Sequence, residues 1–180
     1  MADLFFDRTN LVSTLCALAD LLHERGIPHQ TLIVVGGSSL ALMDLREATR
    51  DIDTVTRLDE PMRLTIADLA STRDLDPQWL NDHAAAFRPV GLSDESCTAV
   101  FLHPTLTVLV PSADWLFLMK LYAARTIDHG DMVNLWPRTG FASAHEAHDR
   151  FRAAYPHASE DAYLADYIED IARRAQGHDT

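Results

Sequence analysis

At 180 residues with 47% hydrophobic composition the chain is long enough to bury a full core, and no apolar run approaches the roughly 18 residues that a membrane span requires. Asp and Glu outnumber Lys and Arg by 27 to 15, a formal net charge of −12, which argues against a broad basic surface for gripping nucleic acid and adds weight to a protein or small-molecule acceptor, cationic ones included. Cys16 and Cys97, far apart and without a CxxC, make neither a zinc site nor a disulfide framework, and an acidic N-terminus without a basic stretch and apolar core reads as no secretory signal, so a cytoplasmic location is expected.

In chain order, Asn10 is placed to cap a helix over 11–25, with Leu11, Leu15, Leu18 and Leu22 on one face and Gly26-Ile27-Pro28 closing it. The short β-branched run 31–35 reads as a buried strand, Gly36-Gly37 as a turn, and Ser38-Ser39 as the start of a helix over 40–45. Residues 51–56 alternate polar and apolar, the period of a strand. Pro61 opens a helix to about Arg73, and Asp76-Pro77 is placed to begin another over 78–87 that contains Trp79 and Asn81. Two β-rich runs, 97–102 and 105–110, flank His103-Pro104. Ser112 is placed to cap a helix to about Thr126, Gly130 to interrupt it, and 131–136 to form a short further helix. Residues 142–155 and 159–176 read as amphipathic helices. The expectation is an α/β fold, a small mixed sheet flanked by helices. It forms one domain over 1–180, with a core of about 27–136 and a helical C-terminal extension of about 141–176.

The chemistry concentrates in Val34-Val35-Gly36-Gly37-Ser38-Ser39 and, twelve intervening residues after Ser38, Asp51-Ile52-Asp53. Glycines without Cβ atoms let a backbone approach a phosphate, and the unpaired N–H groups of a following helix favour an anion. Along a strand Asp51 and Asp53 point to one face. Two carboxylates suit Mg²⁺, a hard ion commonly held by one or two acids and the substrate's phosphates. Nothing matches G-x-G-x-x-G, and no Gly-Lys-Ser/Thr follows the glycines, which disfavours dinucleotide and P-loop readings.

Gly36-Gly37-Ser38, the gap and Asp51-Ile52-Asp53 resemble the signature of the DNA polymerase β-type nucleotidyltransferase superfamily. Arg46, Thr49-Arg50-Asp51-Ile52-Asp53, and Lys120-Leu121-Tyr122-Ala123-Ala124-Arg125 with Asp128 and Asp131 resemble the small bacterial AbiEii-like members, many of which are toxins of toxin–antitoxin or abortive-infection systems. Trp79-Leu80-Asn81-Asp82 is similar to a segment of small members of that group, and the likeness covers residues 30 to 135 or so. It implies a minimal nucleotidyltransferase fold and transfer of a nucleoside monophosphate from a nucleoside triphosphate to an acceptor hydroxyl. The implied acceptor is a tRNA 3′ end, with a protein or an aminosugar as rivals, and a cognate antitoxin is the implied partner. It also implies that Asp51 and Asp53 hold Mg²⁺ or Mn²⁺, that Gly36, Gly37, Ser38, Arg50 and Lys120 meet the nucleotide, and that Lys120 and Asp131 join the catalytic set.

From the residues alone Lys120, among Leu116, Leu118, Met119 and Leu121, reads as a side chain snorkelling its stem along apolar surface, and Asp128 and Asp131 as helix caps around Gly130. The run 105–110 carries no acid where many superfamily members keep a third carboxylate as general base. Asp131, His103 or the Asp94-Glu95 pair stand as substitutes, or a metal-polarised hydroxyl serves. A domain that binds nucleotide or docks a partner without turnover is the reading from another class. His145 and His148 read as an exposed helix face rather than a zinc pair.

Overall fold

The strand that positions everything near the glycines is β1, Gln30–Val35, whose last four residues are buried. A computed structural model describes residues 5–123 and 125–177. Its contacts form two units, Met1–Phe87 with Asp94–Pro111 and Arg88–Ser93 with Ser112–Thr180, each described here by itself.

In the first unit β1 is the middle of a mixed sheet ordered β3-β2-β1-β5-β4 among the described residues, where β2 is Ile52–Thr54, β3 Leu80–Asn81, β4 Cys97–His103 and β5 Leu106–Pro111. The β1–β5 pair is parallel, Ile33 facing Leu109, and β1–β2 is antiparallel, Val35 facing Asp53. A central strand flanked on both edges is hydrophobic without alternation, as Leu32-Ile33-Val34-Val35 is. The α/β fold is thus the expected one, a small mixed sheet flanked by helices and followed by C-terminal helices.

Helix α1, Arg8–Glu24, buries Leu11, Leu15, Leu18 and Leu22 as anticipated. It begins earlier than Asn10 because the Asp7 carboxylate accepts the Asn10 N–H at 2.8 Å, so Asp7 is the cap and Asn10 supplies the amide. Helix α3, Glu60–Arg73, is capped by Asp59 and ends at Asp74 in the left-handed region. The second strand is shorter than 51–56. Past Thr54 one backbone bond remains, Val55 N–H to Ile33 O at 3.0 Å, and hydroxyls add to it: Thr54 Oγ1 donates to Ile33 O at 2.8 Å, and Ile33 N–H donates to Thr56 Oγ1 at 3.0 Å.

The stretch 78–87 is not one helix. Trp79 is fully buried, its carbonyl accepts the Ile52 N–H at 2.6 Å, and Leu80 and Asn81 pair in parallel with Ile52 and Asp53. Only His83–Phe87 is helical, as a 3-10 turn. An unpaired β2 edge beside a buried indole favours strand pairing over local helix propensity.

In the second unit helix α4, Ala113–Ala123, was expected to run to about 126; Ala124 lies outside the described residues. Gly130 does not break a helix but lies within α5, His129–Leu135. Helix α6, Ala144–Ala154, is capped by Ser143, which accepts the Glu146 N–H, while Glu146 accepts the Ala142 N–H at 2.8 Å. Helix α7, Leu164–Gly177, buries Ile168, Ile171 and Ala175. Phe117 packs edge-on to Trp136 and Phe141, and Tyr122 stacks on Tyr155 at 4.1 Å. Burial, then the Tyr122 neighbour, pushes the Tyr155 phenol well above the ordinary range. Among the described residues no helix is long and apolar enough to cross a membrane.

The β3 edge is fastened by Asp82, whose side chain is 7% exposed and whose Oδ2 accepts the Leu58 N–H at 3.2 Å and an Arg63 N–H at 2.8 Å. Burial pushes this carboxyl up, but the Leu58 amide, Arg63 and Arg57 outweigh it and leave its pKa below the usual value. A depressed carboxylate contributes stability that is present above its unfolded pKa and lost as pH falls through the folded one. Asp82→Asn is therefore expected to lose about 1–2 kcal/mol at pH 7, allowing for the half-exposed arginine. The gap to the wild type should begin to narrow below about pH 4 and close as pH falls through the lower folded-state pKa, in denaturant titrations run across pH.

Candidate active site

In the first unit the chain leaves β1 through Gly36, at φ +69°, and enters helix α2, Gly36–Leu42, at once. This helix was expected at 40–45. Glycine's access to positive φ makes the turn within one residue, so helical backbone begins at the glycines themselves. Ser38 and Ser39 consequently lie inside the first turn, both buried, where Ser38 Oγ donates to Val35 O at 2.9 Å and Ser39 Oγ to Gly36 O at 2.8 Å.

Each glycine is required by a neighbour. A Cβ at Gly36 would lie 2.9 Å from Asp53 Oδ2, and a Cβ at Gly37 would lie 2.8 Å from Thr49 Oγ1 and 3.2 Å from Arg46 Nη1. The Asp53 carboxylate thus rests on the turn, carried there by the Val35–Asp53 pairing, with Asn81 on its other side in register. Asp51, half-buried, stands just before the strand, and its carbonyl accepts the Thr49 hydroxyl at 3.2 Å.

The loop over 43–51 is held from the N-terminal segment, a contribution that sequence reasoning missed. Phe6 and Thr49 exchange both backbone hydrogen bonds, at 2.7 and 2.9 Å, and Phe6 is buried with its ring 6.2 Å from Trp79. Arg8 pairs with Asp44, and the exposed Arg50 guanidinium lies over the Phe5 ring at 5.3 Å. The bulky apolar pair Phe5-Phe6 ahead of a helix cap was the available signal.

Among the described residues no cluster of three or more His, Cys, Asp or Glu forms a ready-made metal cage. Two carboxylates on one short strand and its approach are the oxygen donor set of a hard cation that takes its remaining ligands from water and phosphate, so Asp51 and Asp53 fit Mg²⁺ or Mn²⁺. Of the candidate bases, His103 sits beside Leu106 and thus at the Gln30 end of β1, about 15–20 Å along the strand from Gly36. It bonds Thr105 Oγ1 at 2.9 Å and faces Asp20 at 3.4 Å. Asp94 and Glu95 precede β4 at the opposite end, where Cys97 faces Pro111. Of the acid-free run 105–110, Thr105 lies in the turn and the rest forms β5, whose side chains are largely buried.

In the second unit Lys120, Asp128 and Asp131 come together. The Lys120 ammonium donates to Asp128 Oδ1 and Asp131 Oδ2, each at 2.8 Å, and the side chains are 9%, 11% and 16% exposed. One cation between two carboxylates ties α4 to the segment entering α5 with a net charge of −1. Burial, then Asp128 and Asp170, raise the nearby Tyr167 phenol, with Arg174 acting the other way.

Residues 11–136 match the model of a family described as nucleotidyltransferase of unknown function (DUF6036). The chain belongs to this family. The matched span contains both the Gly36–Asp53 arrangement and the Lys120 cluster, and membership assigns the chain to the transferases of phosphorus-containing groups. No curated protein and no solved structure matches the chain.

Two expectations follow for this nucleotidyltransferase. Gly36→Ala should cost about 1–2 kcal/mol more than Gly26→Ala: both glycines have positive φ, but a Cβ at Gly26 meets nothing within 4 Å. The excess should vanish when Asp53 is also replaced by alanine, as read by chemical denaturation. Lys120→Met should lose about 3–5 kcal/mol by removing the buried cation that Asp128 and Asp131 share. Adding Asp128→Asn should recover part of that loss, and a double-mutant cycle measures it.

Proposed function

We propose that the protein transfers a nucleoside monophosphate from a nucleoside triphosphate to an acceptor hydroxyl, with Asp51 and Asp53 as the metal-holding pair. The observation that carries this reading is the Asp53 carboxylate resting against Gly36, which puts an acid beside the Gly-Gly turn that opens α2. A divalent cation held there would polarise the α-phosphate and offset charge on departing pyrophosphate. The chain's own part is to orient: Val35–Asp53 pairing fixes one carboxylate, the Thr49 hydroxyl bond to Asp51 O fixes the approach to the other, and Gly36 and Gly37 bring no side chain of their own to the turn. The acceptor oxygen attacks the α-phosphorus, the bond to the pyrophosphate oxygen breaks, and the hydroxyl proton leaves to water, since β5 offers no acid.

The acceptor we favour is the 3′ end of a tRNA, in a toxin-like role with a cognate antitoxin, because the resemblance to AbiEii-like proteins points there. The acidic balance of −12 supports a protein or aminosugar as the rival. The reading rests on the first unit alone, since the Lys120 ammonium is engaged by Asp128 and Asp131 in the second. A second reading, a nucleotide-sensing or partner-docking module without turnover, is favoured by the missing acid on β5.

Purified protein with Mg²⁺ and each of four α-labelled nucleoside triphosphates, offered total tRNA, lysate protein and an aminoglycoside in parallel, is expected to label one acceptor class. Asp53→Ala is expected to lose that label by at least about a hundredfold. Triphosphate binding with no labelled product would replace transfer by the sensing module, and undiminished labelling by Asp53→Ala would overturn the metal site.

A further inference from the structure

We infer that the outer edge of β4 is a docking surface for a second copy of this chain, which pairs β4 with β4 in antiparallel fashion about a two-fold axis at Val100. The inference goes beyond the transfer reading and does not depend on it.

The sheet ends in two unlike edges among the described residues. β3 is two residues long, both buried, and Asp82 fastens the chain just beyond it to the Leu58 amide and to Arg63. β4 is seven residues long, pairs with β5 on one side, and leaves Thr98, Ala99 and Leu102 exposed, Leu102 to 74%. An edge strand carries a row of backbone N–H and C=O groups that water satisfies until another strand arrives, and natural edges are commonly guarded by lysine, proline or an inward charge. The run Cys97-Thr98-Ala99-Val100-Phe101-Leu102-His103 holds no Lys, Arg, Asp, Glu or Pro.

Three features select a second copy as the occupant. The first is charge. At a net −12, two copies repel each other wherever their acids face, and this acid-free edge is a place where they meet without that cost. It offers no carboxylate to draw a basic peptide, and the balance of the whole chain repels an acidic one. The second is twist. The register with β5 shifts between Ala99 and Phe101 and leaves Val100 as the extra residue of a bulge. A bulge increases the right-handed twist of its strand, which keeps straighter foreign strands off an edge. Rotation about a two-fold axis preserves handedness, so a second copy brings the same twist to the same point. The third is side-chain size. A dyad at Val100 sets Ala99 opposite Phe101 of the second copy and Thr98 opposite its Leu102, small against large on each face. The paired run is short, which places the dimer at the weak end of specific association, with a Kd of roughly micromolar to tens of micromolar.

The test is sedimentation velocity on the full chain from roughly 1 to 200 μM, a range that brackets such an affinity. Wild type is expected to pass from monomer to dimer across it. Leu102→Glu and Val100→Glu should each weaken the dimer at least about tenfold, the second by setting two carboxylates face to face at the dyad. Leu64→Glu adds the same charge at an exposed leucine of α3 and should leave the dimer unchanged. Mixing Val100→Glu with Val100→Lys should restore a dimer containing one of each. Thermal melts identify a misfolded variant, and Leu102→Glu, at the more exposed position, carries the comparison if Val100→Glu is unfolded. A wild type that stays monomeric at the highest concentration overturns the second copy as occupant and leaves the edge to a strand of another protein. A dimer that Leu102→Glu weakens no more than Leu64→Glu does overturns β4 as the surface.

Discussion

The contact on which the first unit's site depends is that of the Asp53 carboxylate with the backbone of Gly36. It exists because two separate constraints coincide. The antiparallel pairing of β1 with β2 brings Asp53 opposite Val35, one residue before the turn. The positive φ of Gly36 then folds the chain back under the carboxylate, where any Cβ would stand 2.9 Å from an oxygen. Glycine is needed twice over at this position, once for its dihedral and once for its absent side chain. That double requirement distinguishes it from Gly26, whose positive φ meets no neighbour.

From that contact the surrounding structure can be ordered by what it holds in place. The third strand lends Asn81 to the far side of Asp53, and Asp82 then locks β3 to the Leu58 amide, so the edge of the sheet cannot drift away from the carboxylate. The N-terminal segment does the same for the loop over 43–51, because a Phe6–Thr49 backbone pair is stiff in a way that a lone side-chain contact is not. Phe6 and Trp79 meet as rings within the core, which joins these two fastenings through one apolar cluster. Polar groups near the glycines are thus oriented by hydrophobic burial some distance from them, the usual means by which a rigid scaffold preorganises a site.

Much of this was legible in the sequence because local rules decided it. The leucine face of α1, the Pro61 helix, the hairpin around His103-Pro104 and the Gly-Gly turn each follow from period, cap or turn chemistry acting over a few residues. What was not legible depends on partners distant in sequence. Residues 78–87 have helical composition, yet Leu80 and Asn81 become strand because β2 needs an edge partner and Trp79 needs burial. Asn10 is a good cap, but Asp7 is a better-placed one, and the choice is set by where Phe6 must sit against Thr49. Gly130 was read as a breaker, although a glycine in a short helix costs only about 1 kcal/mol, less than tertiary packing returns. For the candidate site, residue types and spacing singled out Asp53 and Gly36, which the structure brings together, whereas the approach of Arg46 and Thr49 to Gly37 is a loop conformation that no periodicity encodes.

The acidic balance of the chain and an anionic substrate are compatible once distance is considered. A net charge of −12 repels phosphate only over the range that salt permits, about 8 Å at physiological ionic strength. Within that range the local arrangement decides. A cation at contact distance from a phosphate outweighs the repulsion of any single acid on the far surface, by the ratio of their separations and by screening as well. The same reasoning separates the two clusters of opposite charge in the molecule. In the second unit a buried lysine is neutralised by Asp128 and Asp131, an arrangement that fixes helix ends and leaves a residual negative charge. In the first unit Asp53 adjoins Gly36 while Thr49 and Arg46 adjoin Gly37, so acid and base meet at one turn. The placement of a few groups at a turn, more than the charge of the whole chain, therefore sets what that turn can meet.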